Sequence, residues 1–312
     1  MFEGISVVVP VYNEAEILTE AVGEILGALD RLPEGFELIL IDDGSGDHTW
    51  HLIGRLAEAD TRVRGVRLSR HFGKEQAICA GLDRARGPAV VVMDCDLQHP
   101  PYLIEEMVRV WRDKRVGIVE GVTQGHGRQP WLKGLGRRLF YAVMKHLSGY
   151  DLRGTSDFKL LDRRVVEALK SMAERQPFFR GMVAWVGFEK ATVPFQVGER
   201  RVGSTKWPMT ELAKYGMSNV FVFSALPLRI VNYIALVFVG FAVLLSALAL
   251  YRYVAGEAFV GFTTVIILLL IIGSAILLGL GIIGEYVAKI HEEVKQRPRY
   301  LVADDWRCPP KA

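Results

Sequence analysis

Asp94 and Asp96 stand two residues apart at the end of an apolar, mostly β-branched run, Ala89-Val90-Val91-Val92-Met93. Such a run reads as a buried strand. Alternate residues of an extended segment point to the same side. Two carboxylates converging just past a strand's carboxyl end repel each other unless a cation lies between them. Oxygen ligands suit Mg2+ or Mn2+, and such ions usually hold substrate phosphates as well. Pro100 and Pro101 end the extended segment, and a helix is expected to begin near Tyr102. The same two aspartates also fit ordinary strand-end and turn chemistry. The rest of the chain has to decide between the two.

The elements that would position this pair follow from the order of the chain. Residues 5–9 form a strand stopped by Pro10, and a helical pattern runs from 15 to about 29. A second strand, 37–41, ends in Asp42-Asp43-Gly44-Ser45. Asp47 can cap the next helix, to about 60. A third strand, 63–68, leads through Ser69-Arg70-His71-Phe72-Gly73-Lys74 into a further helix, and then comes the strand before Asp94. Strand and helix alternate, which predicts an α/β domain with a mostly parallel sheet and right-handed crossovers. Ligands of such sheets bind beyond the carboxyl ends of the strands. Asn13, Glu14, Asp42, Asp43, Lys74, Asp94 and Asp96 all fall at that rim. One polar cluster there could be turn chemistry, but four in succession favour a nucleotide site.

Composition bounds the partners. The chain has 312 residues, half of them hydrophobic, and a net charge of +3, too small to argue for nucleic acid. Cys79, Cys95 and Cys308 are few and widely spaced, which fits a reducing compartment and argues against a zinc site or disulfide framework. Residues 230–251 and 258–284 carry no formal charge, and each is long enough to cross a hydrocarbon core, which takes about 20 residues. The linker between them is too short for a domain, so the pair reads as a transmembrane helical hairpin. Lys214, Arg229, Lys289, Lys295, Arg297 and Arg299 flank it. The positive-inside bias then places both the N-terminal domain and the C-terminal tail in the cytoplasm, at the inner membrane. The expected organisation is a catalytic domain over 1–206, an amphipathic interfacial helix over 207–229, the hairpin over 230–284 and a tail over 285–312. The stretch 131–147 alternates apolar and basic residues, which suits either a membrane surface or ordinary contact with the domain.

Val9-Pro10-Val11-Tyr12-Asn13-Glu14, Asp42-Asp43-Gly44-Ser45-Gly46-Asp47-His48-Thr49 and Met93-Asp94-Cys95-Asp96-Leu97-Gln98-His99-Pro100-Pro101 resemble the motifs of glycosyltransferase family 2. More narrowly, they resemble its polyprenyl-phosphate glycosyltransferases, the relatives of dolichol-phosphate mannose synthase. The resemblance runs from about residue 5 to 302. It implies a Rossmann-like nucleotide-sugar transferase domain. The implied nucleotide-sugar site comprises Pro10, Tyr12, Asn13, Glu14, Asp42, Asp43, Lys74, Asp94, Cys95 and Gln98. Asp94, Asp96 and Gln98 are implied as metal ligands, with Asp96 also catalytic.

Further along, the family's Gly-x-Arg is met here by Gly121-Val122-Thr123, and His126 and Arg128 are the candidates to replace the arginine. Gly154-Thr155-Ser156-Asp157-Phe158-Lys159 is similar to a family segment whose aspartate faces sugar and acceptor, which implies a catalytic role for Asp157. Asp162 fits a helix N-cap. Phe178-Phe179-Arg180-Gly181 matches a segment near the acceptor channel, and lacks the tryptophan of processive polysaccharide synthases. Arg200, Ser204 and Lys206 lie in a basic, glycine-containing loop that could hold an anion. Non-specific lipid headgroup contact is the alternative for that loop. The resemblance assigns Arg128, Arg180, Arg200, Ser204 and Lys206 to a lipid phosphate.

The expectation is therefore inverting transfer of a sugar, first choice UDP-glucose, to a polyprenyl phosphate such as undecaprenyl phosphate. GDP-mannose is the runner-up donor. A nucleotidyltransferase and a catalytically silent membrane scaffold are the rivals of other classes. The resemblance further implies a homo-oligomer formed through the hairpin.

Overall fold

The computed structural model describes residues 2–123, 155–172, 174–175, 177–195, 226–255 and 262–306. Among these, eight strands form one sheet in the order β7-β5-β6-β4-β1-β2-β3-β8. They are β1 Ile5–Val11, β2 Phe36–Asp42, β3 Val63–Leu68, β4 Ala89–Val92, β5 Ile118–Thr123, β6 Thr155–Asp162, β7 Lys190–Phe195 and β8 Val302–Trp306. The helices are α1 Leu18–Leu29, α2 Thr49–Ala59, α3 Lys74–Arg84, α4 Leu103–Lys114, α5 Arg163–Ser171 and α6 Phe179–Trp185, then the longer α7 Leu226–Val254 and α8 Phe262–Val294.

Alternation along the central strands builds two cores. Val7, Val9, Ala89 and Val91 face α1, α2 and α4. Val8, Val90 and Val92 face α3, α5 and α6. A strand covered on both faces is apolar at every position rather than at every second one, and β1, β2 and β4 are buried throughout. Gly81 lets α3 lie close on the sheet, because a β-carbon there would collide with Val8.

Two expectations change in detail. Pro10 does not end β1, which continues to Val11. Met93 N–H donates to the Val8 carbonyl, so Val8 turns toward β4. Pro10, two residues on, turns the same way, but the β1–β4 ladder stops at Val8 and Val92. No ladder hydrogen bond is lost to the missing N–H. The sheet is mostly parallel, but β6 runs antiparallel to both β4 and β5, and β8 runs antiparallel to β3.

The chain divides into two compact units, and the residues from Arg297 onward belong with the sheet rather than with α7 and α8. The tail thus adds β8 to the sheet edge, fastened by paired hydrogen bonds from Arg64 to Asp305. Tyr300 donates to Asp83 on α3, and Ser69 N–H donates to the Leu301 carbonyl. In the other unit, α8 runs on to Val294, ten residues past the expected end at 284. Among the described residues, one helical span, Ile271–Val294, is long and apolar enough to cross a membrane, with mean hydropathy 1.9. The apolar run in α7, Tyr233–Leu245, is shorter. The described residues therefore meet that criterion once, not twice as the two-span hairpin requires.

Candidate active site

The first part of the rim is built by the ends of β1, β2 and β3. Asp42 is fully buried at the end of β2. Its Oδ1 accepts Ser45 N–H at 3.0 Å. Its Oδ2 has no hydrogen-bond partner among the described residues and lies 3.4 Å from Arg67 Nε. Burial raises the Asp42 carboxyl above its ordinary range, against the lowering effect of Ser45 and Arg67. Asp43 is spent on structure. It accepts Phe72 and Gly73 N–H, each at 2.8 Å, and pairs with His71 Nδ1 at 2.8 Å. It therefore shapes the loop that delivers Lys74. Gly73 enters α3 at φ 110°, a conformation open to glycine.

Tyr12 is exposed and stacks on His71 with ring centroids 4.0 Å apart. Pro10 is buried in β1 below it. Asn13 adopts φ 52°, its N–H donates to Ser45 Oγ at 3.0 Å, and its Oδ1 accepts Gly46 N–H at 2.9 Å. Glu14 N–H donates to Thr49 Oγ1, and the Glu14 carbonyl accepts the N–H groups of Ile17 and Leu18. These bonds knit the β1 and β2 turns into one surface, beside which lie the exposed Tyr12 ring and the Asp42 oxygen that faces Arg67.

The second part is a chain of charges. Lys74 Nζ lies 2.6 Å from Asp94 Oδ1 and 2.6 Å from Asp157 Oδ2. Arg180 grips the other side of Asp157, Nε to Oδ1 at 2.6 Å and Nη2 to Oδ2 at 3.1 Å. The reversed direction of β6 makes this meeting happen. Val92 pairs with Lys159, so Asp157 lies just past the carboxyl end of β4. Burial alone would raise the Asp157 carboxyl, but Lys74 and Arg180 hold it well below the usual carboxylate range. Burial likewise favours the neutral Lys74 amine, and Asp94 and Asp157 outweigh it and keep the ammonium charged. An aspartate so strongly held as an anion is a poor general base; it is suited to fixing two cations.

Glu75, next to Lys74, accepts Phe179 N–H at 2.8 Å. Burial, helped by the charge of Asp157, pushes its carboxyl up to about 7 despite Phe179, Lys74 and Arg180. Lys159 lies on β6, two residues from Asp157. It is 1% exposed and pairs with Glu120 at 2.6 Å, its partner across the β5–β6 ladder.

Asp94 and Asp96 are both partly exposed, so an ion shared with a substrate could reach them, and Gln98 N–H donates to Asp96 Oδ1 at 3.2 Å. Asp94 Oδ2 faces His99 Nδ1 at 4.0 Å, and that nitrogen has no hydrogen-bond partner among the described residues. His99 is stacked on Phe158 at 5.3 Å, and burial holds its imidazole below its ordinary range. No group of three or more His, Cys, Asp or Glu gathers to cage a metal among the described residues. Mg2+ is commonly held by one or two carboxylates together with water and substrate phosphate. The Asp94–Asp96 pair fits an ion held in that shared way. Cys95 between them is 4% exposed and faces the core, and burial pushes its thiol up to about 12. Its side chain therefore lies in the core; β4 has already ended at Val92, so a turn at 95–96 rather than strand alternation sets its direction.

Arg128, Arg200, Ser204 and Lys206 lie outside the described residues. Asp162 is confirmed as an N-cap, accepting Arg164 N–H at 3.0 Å. Arg67, His71, Glu75 and His99 also contact the candidate site residues or their chain neighbours, though the sequence did not single them out. For Arg67, His71 and Glu75, position at the ends of β3 and the start of α3 was the available signal.

Residues 6–169 match the model of Glycosyl transferase family 2. The chain is 35% identical over 299 residues to the uncharacterized glycosyltransferase YkcC of Bacillus subtilis, covering 95% of this chain and 92% of that one. It is 33% identical over 311 residues to the SfII prophage-derived bactoprenol glucosyl transferase of Shigella flexneri, covering 98% and 99%. Among solved structures it is similar to glucosyl-3-phosphoglycerate synthase from Mycobacterium tuberculosis in complex with Mn2+, UDP-glucose and phosphoglyceric acid. There the identity is 19%, the TM-score is 0.48, and 70% of this chain and 78% of that one are covered.

Proposed function

We propose, from the premise that this chain belongs to glycosyl transferase family 2, that it moves a sugar from a nucleotide diphosphate sugar onto a polyprenyl phosphate. UDP-glucose is the first-choice donor and undecaprenyl phosphate the first-choice acceptor. The observation that carries this reading is the two-part rim. A buried carboxylate oxygen without a hydrogen-bond partner, on Asp42, suits a ring N–H of a base. Two strand spacings away, roughly 10 Å, the Asp94-Lys74-Asp157-Arg180 chain offers alternating charge to a diphosphate and a phosphate acceptor. Near full-length similarity to a bactoprenol glucosyl transferase supports the polyprenyl acceptor.

Asp94 and Asp96, with Gln98 as the third candidate, would hold Mg2+ or Mn2+. Such an ion, when bound, offsets the charge on the leaving diphosphate. Lys74 stands at Asp94 to share in holding the donor, and Asp157 keeps Lys74 and Arg180 in place. The lipid phosphate, with a second pKa near ~6, is largely deprotonated at neutral pH. It can attack the anomeric carbon from the face opposite the diphosphate without a strong general base, which gives inversion. Arg180 is the cation at hand for that phosphate, with Arg128, Arg200, Ser204 and Lys206 as further candidates.

Membrane attachment through α7 and α8 is part of the same reading. Their large apolar side chains, among them Leu236, Val237, Leu277 and Val287, are exposed. The tail supports an even number of crossings. β7 and β8 belong to one sheet, so the chain between them ends on the side where it began. A single crossing by α8 would leave β8 across the membrane from β3. Cysteines placed at Gly256 and Ala303, with Cys308 replaced, are therefore expected to label from opposite sides of sealed vesicles. Labelling from one side would refute the hairpin.

The enzymatic test is a screen of radiolabelled UDP- and GDP-sugars with polyprenyl phosphate, followed by lipid extraction. Label in the lipid phase from UDP-glucose is expected. Label from GDP-mannose alone would favour the runner-up, since a carboxylate accepts guanine N–H as readily as uracil N–H. Label in no lipid fraction would refute the acceptor.

A further inference from the structure

We propose that Glu75 is a positioning residue for the acceptor side of the site: by holding Phe179 N–H it fixes the next residue, Arg180, against Asp157. The two residues that open α3 diverge. Lys74 reaches across to Asp94 and Asp157, and Glu75 reaches to α6, where its Oε2 accepts Phe179 N–H at 2.8 Å. Arg180, one residue on, then makes its two bonds to Asp157. α3 therefore sets both cations of the charge chain, one through its own side chain and one through a neighbour's backbone.

The arrangement has a physical cost that argues for a role. A half-buried carboxyl within the field of Asp157 would be an unfavourable choice if only a filler were required. Phe179, Met182 and Val183 already bury α6 against the sheet, so apolar contact alone would seat that helix. What apolar contact does not fix is the direction of Arg180. Bidentate grip of a carboxylate demands correct placement in a plane, and a hydrogen bond at the preceding backbone amide supplies it. Protonation near neutral pH does not undo the link, because a neutral carboxyl still has a carbonyl oxygen to accept the amide.

The proposal rests on the assignment of Arg180 to the acceptor phosphate. Its test therefore has one arm that reads activity and one that does not, both on the full-length chain in detergent or lipid discs. Glu75→Ala is expected to lower kcat/KM for polyprenyl phosphate by about tenfold or more, the scale of one charge-assisted hydrogen bond. Affinity for the nucleotide sugar is expected to hold within about twofold. Glu75→Gln, which keeps the accepting oxygen, is expected to recover most of the loss. In an Arg180→Ala background, Glu75→Ala is expected to add little, because both act through one contact. In the second arm, hydrogen–deuterium exchange over residues 178–185 is expected to speed up in Glu75→Ala and to stay slow in Glu75→Gln.

Unchanged exchange in Glu75→Ala, losses that add to those of Arg180→Ala, or a Glu75→Gln variant as impaired as Glu75→Ala would each overturn the proposal. If Glu75→Ala does not fold, the exchange of Glu75→Gln decides: protection at 178–185 supports the link, and lost protection overturns it. If the wild-type chain transfers nothing to the lipid, the acceptor reading fails, while the exchange arm still decides the tie between Glu75 and Phe179.

Discussion

Asp42 and Asp43, at the end of β2, are held chiefly by backbone N–H groups, and burial raises both carboxyls above their ordinary range. Asp157, on β6, is equally buried, but two side-chain cations hold it well below that range. On the proposed function, the difference matches what each part would meet. Backbone amides and a reluctant carboxylate suit a neutral, hydrogen-bonding ring. Fixed cations around a permanent anion suit charged oxygens that arrive and leave. Burial alone does not set the state of a carboxylate; the partner that comes with it does. The two parts meet at α3, whose entry loop is shaped by Asp43 and whose first residue is Lys74.

The contrast is broken most severely at the charged part. Asp96→Ala, or excess EDTA with the wild-type chain, is expected to cut transfer by about a thousandfold, if the ion supplies ~4 kcal/mol to the transition state. Nucleotide-sugar binding should weaken as well. Full activity in either case would remove the metal from the reading.

Asp157→Asn comes next. It keeps the shape but leaves Lys74 and Arg180 facing an amide. Asp157 is buried but both its cations are partly exposed, so the cost is expected at the scale of lost charge-assisted hydrogen bonds, about 1.5–3 kcal/mol. A lower melting temperature and a loss of transfer on the order of a hundredfold are expected. Thermal unfolding and steady-state assays check the two effects separately. A variant with wild-type melting and activity would show that the charge chain is idle.

A smaller and opposite effect is expected at the hydrogen-bonding part. Asp42→Ala should weaken nucleotide-sugar affinity about tenfold, the scale of one buried hydrogen bond, with little change in acceptor use. Arg200→Ala and Lys206→Ala should do the reverse, losing about tenfold to a hundredfold in acceptor efficiency and little in lipid-free calorimetry. If the basic-loop variants lose nucleotide-sugar binding as badly as Asp42→Ala, that loop serves the donor.

The smallest effect is in the pH dependence of stability. Glu75 has a folded-state pKa of about 7 against an ordinary 4.5, so the folded chain binds the proton more tightly than the unfolded one. Its contribution is then most favourable below 4.5 and declines as pH rises toward about 7. Asp157 has the opposite sign: its contribution is present above its ordinary 3.8 and is lost as pH falls through its depressed folded value. Glu75→Gln should therefore flatten the fall in melting temperature between 4.5 and about 7. Asp157→Asn should flatten the acid limb and, by removing a charge that raises the Glu75 carboxyl, also shrink the fall between 4.5 and about 7. A Glu75→Gln profile parallel to the wild type would place the titration elsewhere.

Much of this was legible in the chain itself. The valine runs at 5–9 and 89–92 and the alternation of strand and helix determined the sheet, its parallel core and the rim where ligands bind. Local rules did that work up to Val92, where β4 ends; the directions of Asp94, Cys95 and Asp96 are set by the turn that follows. Composition marked the apolar C-terminal segments, and motif resemblance marked the family. Three things were decided only in three dimensions. The reversal of β6 brings Asp157 to the end of β4, and nothing in its sequence states a strand's direction. The return of residues 297–306 to the edge beside β3 depends on pairing across more than two hundred residues. The partners of each charge depend on it too. Lys74, Asp94, Asp157 and Arg180 come from four separate elements, and sequence distance carries no information about which of many cations will reach a given carboxylate. Ion pairing acts over a few ångströms of space, so only the folded arrangement could show Asp157, expected as a catalytic residue, to be an anion anchored between Lys74 and Arg180.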